Sequence, residues 1–291
     1  MKLLDLTAAY CQYVVEDASW PKCERLCPAL FRHYFHFWAK RAYPNIDIPI
    51  EALQERSEMI KRRLPRILHK FKSHGFDTGR FSFVLFVGKG CTNGHAMLDG
   101  NKWIVWIPVE TYPTARLVDV FVTHEIAHAL HYANSPRFYF ATKSEQRHFS
   151  RQLLTEGIAT RLTAHVLGCS DNSALWGSFL RPGQLAAWRA SCKKRWQALL
   201  GYAIRNFNSE AKTELFQGND PTDVFKFRAG YLLGLNLADG ILGDKQLTPL
   251  GLISLPRRRL EQYARAQLNR WTESCLSKQI RLYPTAPPRA Q

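Results

Sequence analysis

The chain has 291 residues, 46% of them hydrophobic, with 8 Trp, 11 Tyr and 17 Phe, a composition that provides for a large core and excludes an intrinsically disordered protein. Forty basic against 24 acidic residues give a net charge of +16 and a pI near 9.7, which favours nucleic acid, an anionic membrane surface or an acidic protein as partner without selecting among them. Seven cysteines, at 11, 23, 27, 91, 169, 192 and 275, are an odd and scattered set, unlike a secreted disulfide framework.

No apolar run approaches the roughly 18 residues of a membrane span. The opening Met1-Lys2-Leu3-Leu4-Asp5-Leu6 carries an early acid and no small-residue cleavage pattern, so the expected location is cytoplasmic. Apolar residues recur at helical spacing over 2–16, 24–43 and 51–74, with prolines at 21, 28, 44 and 49 as punctuation. Cys23 and Cys27 have metal-ligand chemistry but no second cysteine pair to complete a site, so reduced thiols are expected. The β-prone runs Phe81–Val87 and Lys102–Ile107 follow, and Asp99-Gly100-Asn101 between His95–Leu98 and the latter signals a tight hairpin. Three strands are therefore expected before the next helix. Asn93-Gly94-His95-Ala96-Met97 is the candidate sheet edge, although glycines at 88, 90 and 94 also suit a surface loop.

The most informative motif comes next: His124-Glu125-Ile126-Ala127-His128, led in by the apolar run 117–123. On a helix, residues four apart share a face, so both imidazoles can reach one ion while Glu125 stands beside it. Zinc with three protein ligands keeps an open position and lowers the pKa of water toward roughly 7, and a neighbouring carboxylate can accept its proton. Glu125 is thus the expected general base, with one Zn2+ per chain. His131, one turn on, reads as a packed histidine or one that hydrogen-bonds beside the site.

A third ligand is needed. Glu156, 28 residues after His128 in the helical stretch Arg151–Leu162, is flanked by apolar residues and implies a half-buried carboxylate in want of a partner. His148 is the competing ligand and would give a three-histidine site. Downstream, helical spacing recurs over 144–167, 184–206, 222–240 and 256–279; 206–221 reads as a polar surface loop and 284–291 as a frayed tail. The basic runs Lys61-Arg62-Arg63, Lys193-Lys194-Arg195 and Arg257-Arg258-Arg259 read as solvated helix faces.

With its His-Glu-x-x-His helix followed by Thr155-Glu156-Gly157-Ile158-Ala159, the chain resembles the gluzincin metallopeptidases, and among them predicted bacterial zinc-dependent proteases of the Glu-Gly-Ile-Ala type. The resemblance covers about residues 80–240. It implies an α+β, zincin-like fold with a small, mostly antiparallel sheet, zinc held by His124, His128 and Glu156, and a peptide or protein substrate that adds as a strand to the sheet edge. In such proteases an Ala-Gly-Tyr-like segment follows the glutamate helix, and Ala229-Gly230-Tyr231 matches it; Tyr231 would then steady the oxyanion, and Arg228 would hold a substrate carboxylate or cap an acid. The metzincin pattern requires Gly at 131 and His at 134, where this chain has His131 and Asn134. A His148 ligand would instead resemble the SprT-like proteases that act on protein–DNA crosslinks.

The expected organisation is an N-terminal helical region, 1–75, and a catalytic region, 76–291, made of the sheet with the motif helix (76–135) and a helical subdomain (136–291), or all of these in one domain. The first 75 residues are a candidate cover for a latent site. Two other functions fit: a nucleic-acid-associated zinc protease, and a non-catalytic zinc-stabilised binding or regulatory protein in which Glu125 is incidental.

Overall fold

The computed structural model describes residues 2–16, 19–38, 48–88, 94–211 and 213–282. In chain order the elements are β1 (Lys2–Asp5), α1 (Thr7–Tyr10, continued as a π-helical stretch over Cys11–Glu16), α2 (Trp20–Glu24), α3 (Pro28–Phe37), α4 (Ile50–Ser73), β2 (Phe81–Phe86), β3 (His95–Asp99) and β4 (Lys102–Pro108). Helices then dominate: α5 (Ala115–Asn134), α6 (Lys143–Arg147), α7 (Phe149–Leu167), α8 (Asp171–Trp176), α9 (Pro182–Lys194), α10 (Trp196–Asn206), α11 (Ala229–Lys245), α12 (Pro249–Ile253) and α13 (Arg257–Leu282). The class is mixed α and β with one small sheet. No helix among the described residues is long and apolar enough to cross a membrane. The expected tail, 284–291, lies outside the described residues.

The chain divides into two units, one formed by Met1–Tyr139 with Ile158–Arg181, the other by Phe140–Gly157 with Pro182–Gln291. In the first, the sheet order is β1-β2-β4-β3. Here the expected mostly antiparallel sheet is corrected: β1 runs parallel to β2 and β2 parallel to β4, and β3 alone is antiparallel, with His95 opposite Trp106 and Asp99 opposite Lys102. The hairpin was readable because Gly100, at φ +59°, supplies the positive φ a two-residue turn needs. Where that hairpin docks was not. β2 is buried along nearly its whole length, as befits a strand between two parallel neighbours, which reads as a continuous apolar run rather than an alternating one.

β1 is the second correction, since helical spacing was expected from residue 2. Four residues are too few for periodicity to separate strand from helix, and pairing with β2 decides the matter. Asp5 ends the strand and starts the helix: its carboxylate accepts from Thr7 N–H at 2.9 Å, Ser57 Oγ at 2.7 Å and Lys61 Nζ at 2.7 Å. Burial alone would raise the Asp5 carboxyl, but the hydrogen bonds from Lys61, Thr7 and Ser57 outweigh it and hold the pKa below the ordinary value. A depressed carboxylate adds stability that is present above its unfolded pKa of about 3.9 and is lost as pH falls through the lower folded value. Asp5→Asn should therefore cost about 1 kcal/mol at pH 7, and urea melts at descending pH should show the gap to wild type closing below about pH 4; a gap constant with pH would contradict the assignment.

α4 contributes an apolar stripe, Leu53, Ile60, Leu64, Ile67 and Phe71, all buried, at the spacing of one helix face. Its Arg63 guanidinium forms a two-pronged ion pair with Asp119 on α5. α5 itself is capped by Thr114, whose Oγ1 accepts from Leu117 N–H, and from Val120 to Tyr132 every residue is buried. Over that stretch it is a core helix with no exposed face.

In the second unit α11 crosses α7 backbone to backbone. A Cβ on Gly157 would overlap the Gly234 backbone, and one on Gly234 would overlap the Leu153 carbonyl. Two glycines thus bring the helix axes closer than side chains allow.

Candidate metal centre

Because α5 is buried on all sides over residues 120–132, its polar residues there need internal partners. His124, Glu125 and His128 are 5%, 6% and 4% exposed. One helical turn brings the two imidazoles together with Nε2 3.1 Å from Nε2 and ring planes at 83°. Two nitrogens bound tetrahedrally to one ion at about 2.0–2.1 Å lie about 3.3–3.4 Å apart, so this pair is close to the required spacing. Half-buried Glu156 on α7 completes the group: its carboxylate and the two imidazoles offer one ligand atom each, all within 4.8 Å of one another. Two neutral nitrogens and one anionic oxygen form a donor set that fits a divalent cation. This His-His-Glu group can hold a metal ion.

The competing ligand does not join it. His148 ends α6, with Nδ1 3.2 Å from Ser150 Oγ, and that hydroxyl donates to Glu261 at 2.8 Å. Burial, then the charge of Arg257, lowers the His148 pKa. Among the described residues, Cys23 and Cys27 belong to no metal-ligating group either. Both are thiols, and burial, ahead of nearby Glu24 and Cys27, pushes Cys23 up to about 11.

His131 is packed rather than hydrogen-bonding. It is fully buried with its ring 4.5 Å from that of Phe138, neither ring nitrogen has a partner among the described residues, and burial, followed by the proximity of His128, lowers its pKa to about 3. It stays neutral in the core.

Glu125 has a neighbour that the motif does not announce. Gly94 has φ +142°, and a Cβ there would stand 2.8 Å from Glu125 Cγ and 2.9 Å from the Trp106 carbonyl oxygen. The backbone leading into β3 is therefore pressed against the Glu125 side chain. The candidate edge 93–97 is realised over His95–Met97, since β3 is terminal in the sheet; Asn93 lies outside the described residues. That edge is not bare: His95, Ala96 and Met97 are buried, and Leu98 N–H donates to the Tyr139 hydroxyl at 3.3 Å.

Tyr231 occupies the first turn of α11. Its ring carries the Arg228 guanidinium at 4.1 Å and meets Phe216 edge-on at 5.8 Å. Arg228 takes a left-handed conformation, φ 57°, uncommon for a residue with a side chain. Tyr231 stands three residues before Gly234, the glycine that packs on Gly157, and Gly157 follows Glu156. The helix crossing thus sets Gly234, one turn on from Tyr231, against the part of α7 that carries the carboxylate ligand. The sequence signal for it, small residues at 229, 230 and 234, was visible; its partner Gly157 was not singled out.

No protein-family model, curated protein or solved structure matches this chain.

Proposed function

We propose that this protein is a zinc-dependent metallopeptidase of gluzincin type with a zincin-like layout, in which His124, His128 and Glu156 hold the metal and Glu125 is the general base. The observation that carries the reading is the gathering of those three ligand atoms, with buried Glu125 on the helix that bears the two histidines. Zinc held there would supply a Lewis acid and a water of lowered pKa. Glu125, adjacent in sequence to the first ligand, accepts the proton of the attacking water as that oxygen bonds to the scissile carbonyl carbon. It then delivers the proton to the amine nitrogen as the C–N bond breaks. Tyr231 donates a hydrogen bond to the carbonyl oxygen as it gains charge, a contribution of about 2.7–4 kcal/mol at other oxyanion donors. Arg228, stacked on that ring, holds the phenol in place. A substrate strand would run along β3, and beside Leu98 the Tyr139 hydroxyl must yield to it.

Elemental analysis tests the reading. The expected result is about one zinc per chain for wild type and for His148→Ala, and loss of metal for Glu156→Ala. Retention by Glu156→Ala with loss in His148→Ala would replace the proposed ligand set with three histidines. No zinc in any of them after reconstitution would remove the basis of the proposal.

A further inference from the structure

The second unit carries 20 basic against 10 acidic residues, +10 of the chain's +16, and the metal-site chemistry uses almost none of this charge. Part of it converges on a cleft. Helix α9 is anchored by its inner face: Trp188 Nε1 donates to the Phe227 carbonyl at 2.8 Å, and Cys192 is 1% exposed. That anchoring turns Arg189 and Lys193, one turn apart, toward an open cleft of 380 Å³ whose other walls are Ala190, Trp196, Leu232 and Asn236. Trp196 is half-exposed and its ring lies 6.0 Å from that of Trp271, also half-exposed. Lys193, which lines the cleft, and the residues that follow it, Lys194 and Arg195, are all exposed. Among the described residues neither Lys193 nor Lys194 makes an ion pair, and Arg195 lies over the Phe225 ring at 5.6 Å.

We propose that this α9–α10–α11 cleft binds single-stranded nucleic acid, with a base stacked on Trp196, its polar edge toward Asn236, and the flanking phosphates on Arg189, Lys193 and the adjoining Lys194 and Arg195. A flat aromatic surface beside a row of cations is what a strand with exposed bases and a charged backbone requires, and stacking is tolerant of sequence because every base has a π-face. An anionic membrane fits the charge less well, since interfacial binding also needs apolar anchors. The exposed large apolar side chains among the described residues are Leu4, Val15, Leu26, Leu98, Phe179 and Leu250, and none lines the cleft. The inference uses no metal ligand and stands whether or not the chain hydrolyses peptides.

The test uses the full chain and a fluorescein-labelled oligothymidine of about 20 nucleotides, followed by anisotropy between 50 and 200 mM salt. Three to four phosphate contacts predict a slope of log affinity against log salt of about −2 to −3, near −0.7 per contact. Lys193→Glu with Lys194→Glu, both at exposed positions, should weaken binding tenfold or more and flatten the slope. Trp196→Ala should weaken it at least about fivefold with the slope kept; Trp196→Leu, which refills the volume without a stacking face, should do the same and separates stacking from folding, with circular dichroism melts as the check. Salt-independent binding, unaltered affinity in the lysine pair, equal affinity for duplex of the same length, or capture by phosphatidylserine vesicles without oligonucleotide binding would each overturn the proposal.

Discussion

Glu125→Gln is expected to abolish peptide hydrolysis while leaving bound metal unchanged. The two carboxylate oxygens become an amide that cannot accept a proton at the pH of the reaction, yet the side chain keeps its shape in a position that is 6% exposed and closely flanked by Gly94. General-base catalysis contributes about 10²–10⁴-fold, so turnover should fall by at least that factor. The paired measurement is metal content by elemental analysis and cleavage of a broad-specificity substrate such as casein. Full activity in the variant would remove Glu125 from the chemistry. Absence of cleavage by the metal-loaded wild type would assign the metal a structural role, as in a zinc-stabilised binding or regulatory protein, and loss of both metal and activity in the variant would mean that Glu125 supports the ligands rather than the proton transfer.

The second large effect lies away from the chemistry. Gly234→Ala, or Gly157→Ala, puts a methyl group into backbone, a clash that no rotamer change relieves. Overpacking in cores costs about 1–3 kcal/mol where side chains can shift, and here the helices themselves must separate, so about 3 kcal/mol or more is expected. At about 2–4 °C per kcal/mol for a chain of this size, the melting temperature should drop by about 6–12 °C. Because Glu156 precedes Gly157, zinc affinity should fall with it, by tenfold or more, in equilibrium dialysis at a temperature where the variant is folded. Wild-type stability in both variants would mean that the helices do not cross here. Alanine at Gly243, where nothing lies within reach of an added Cβ, is the control and should be neutral or slightly stabilising, since alanine is the better helix former.

The contrast between these glycines indicates what the sequence can disclose. The spacing of His124, Glu125 and His128 defines a geometry by itself, because a helix fixes which residues share a face, and the half-buried setting of Glu156 follows from its apolar flanks. The hairpin at Gly100 was legible for the same reason: its chemistry is local. Sheet order was not, since a run such as Phe81–Phe86 records only that both its faces are covered, not which strands flank it. β1 was lost because four residues carry no period. Gly94 and Gly157 were visible but their roles were not, because a glycine's meaning lies in the atoms opposite it, and those come from distant parts of the chain: α5 for one, α11 for the other. Nor did the sequence choose between Glu156 and His148 on ligand chemistry alone; the fold gathers Glu156 with His124 and His128 and leaves His148 beside Ser150.

The terminal position of β3 carries a hazard as well as an opportunity. An uncovered strand at the end of a sheet is a template on which further copies can pair and grow into aggregates. This chain blunts that end with the Tyr139 hydroxyl on the Leu98 amide and closes the hairpin with Asp99 opposite Lys102, charges that would be stranded in any stack of like edges. The same strand thus lies close to the buried Glu125 side chain, through Gly94, with its own end guarded against pairing with like copies.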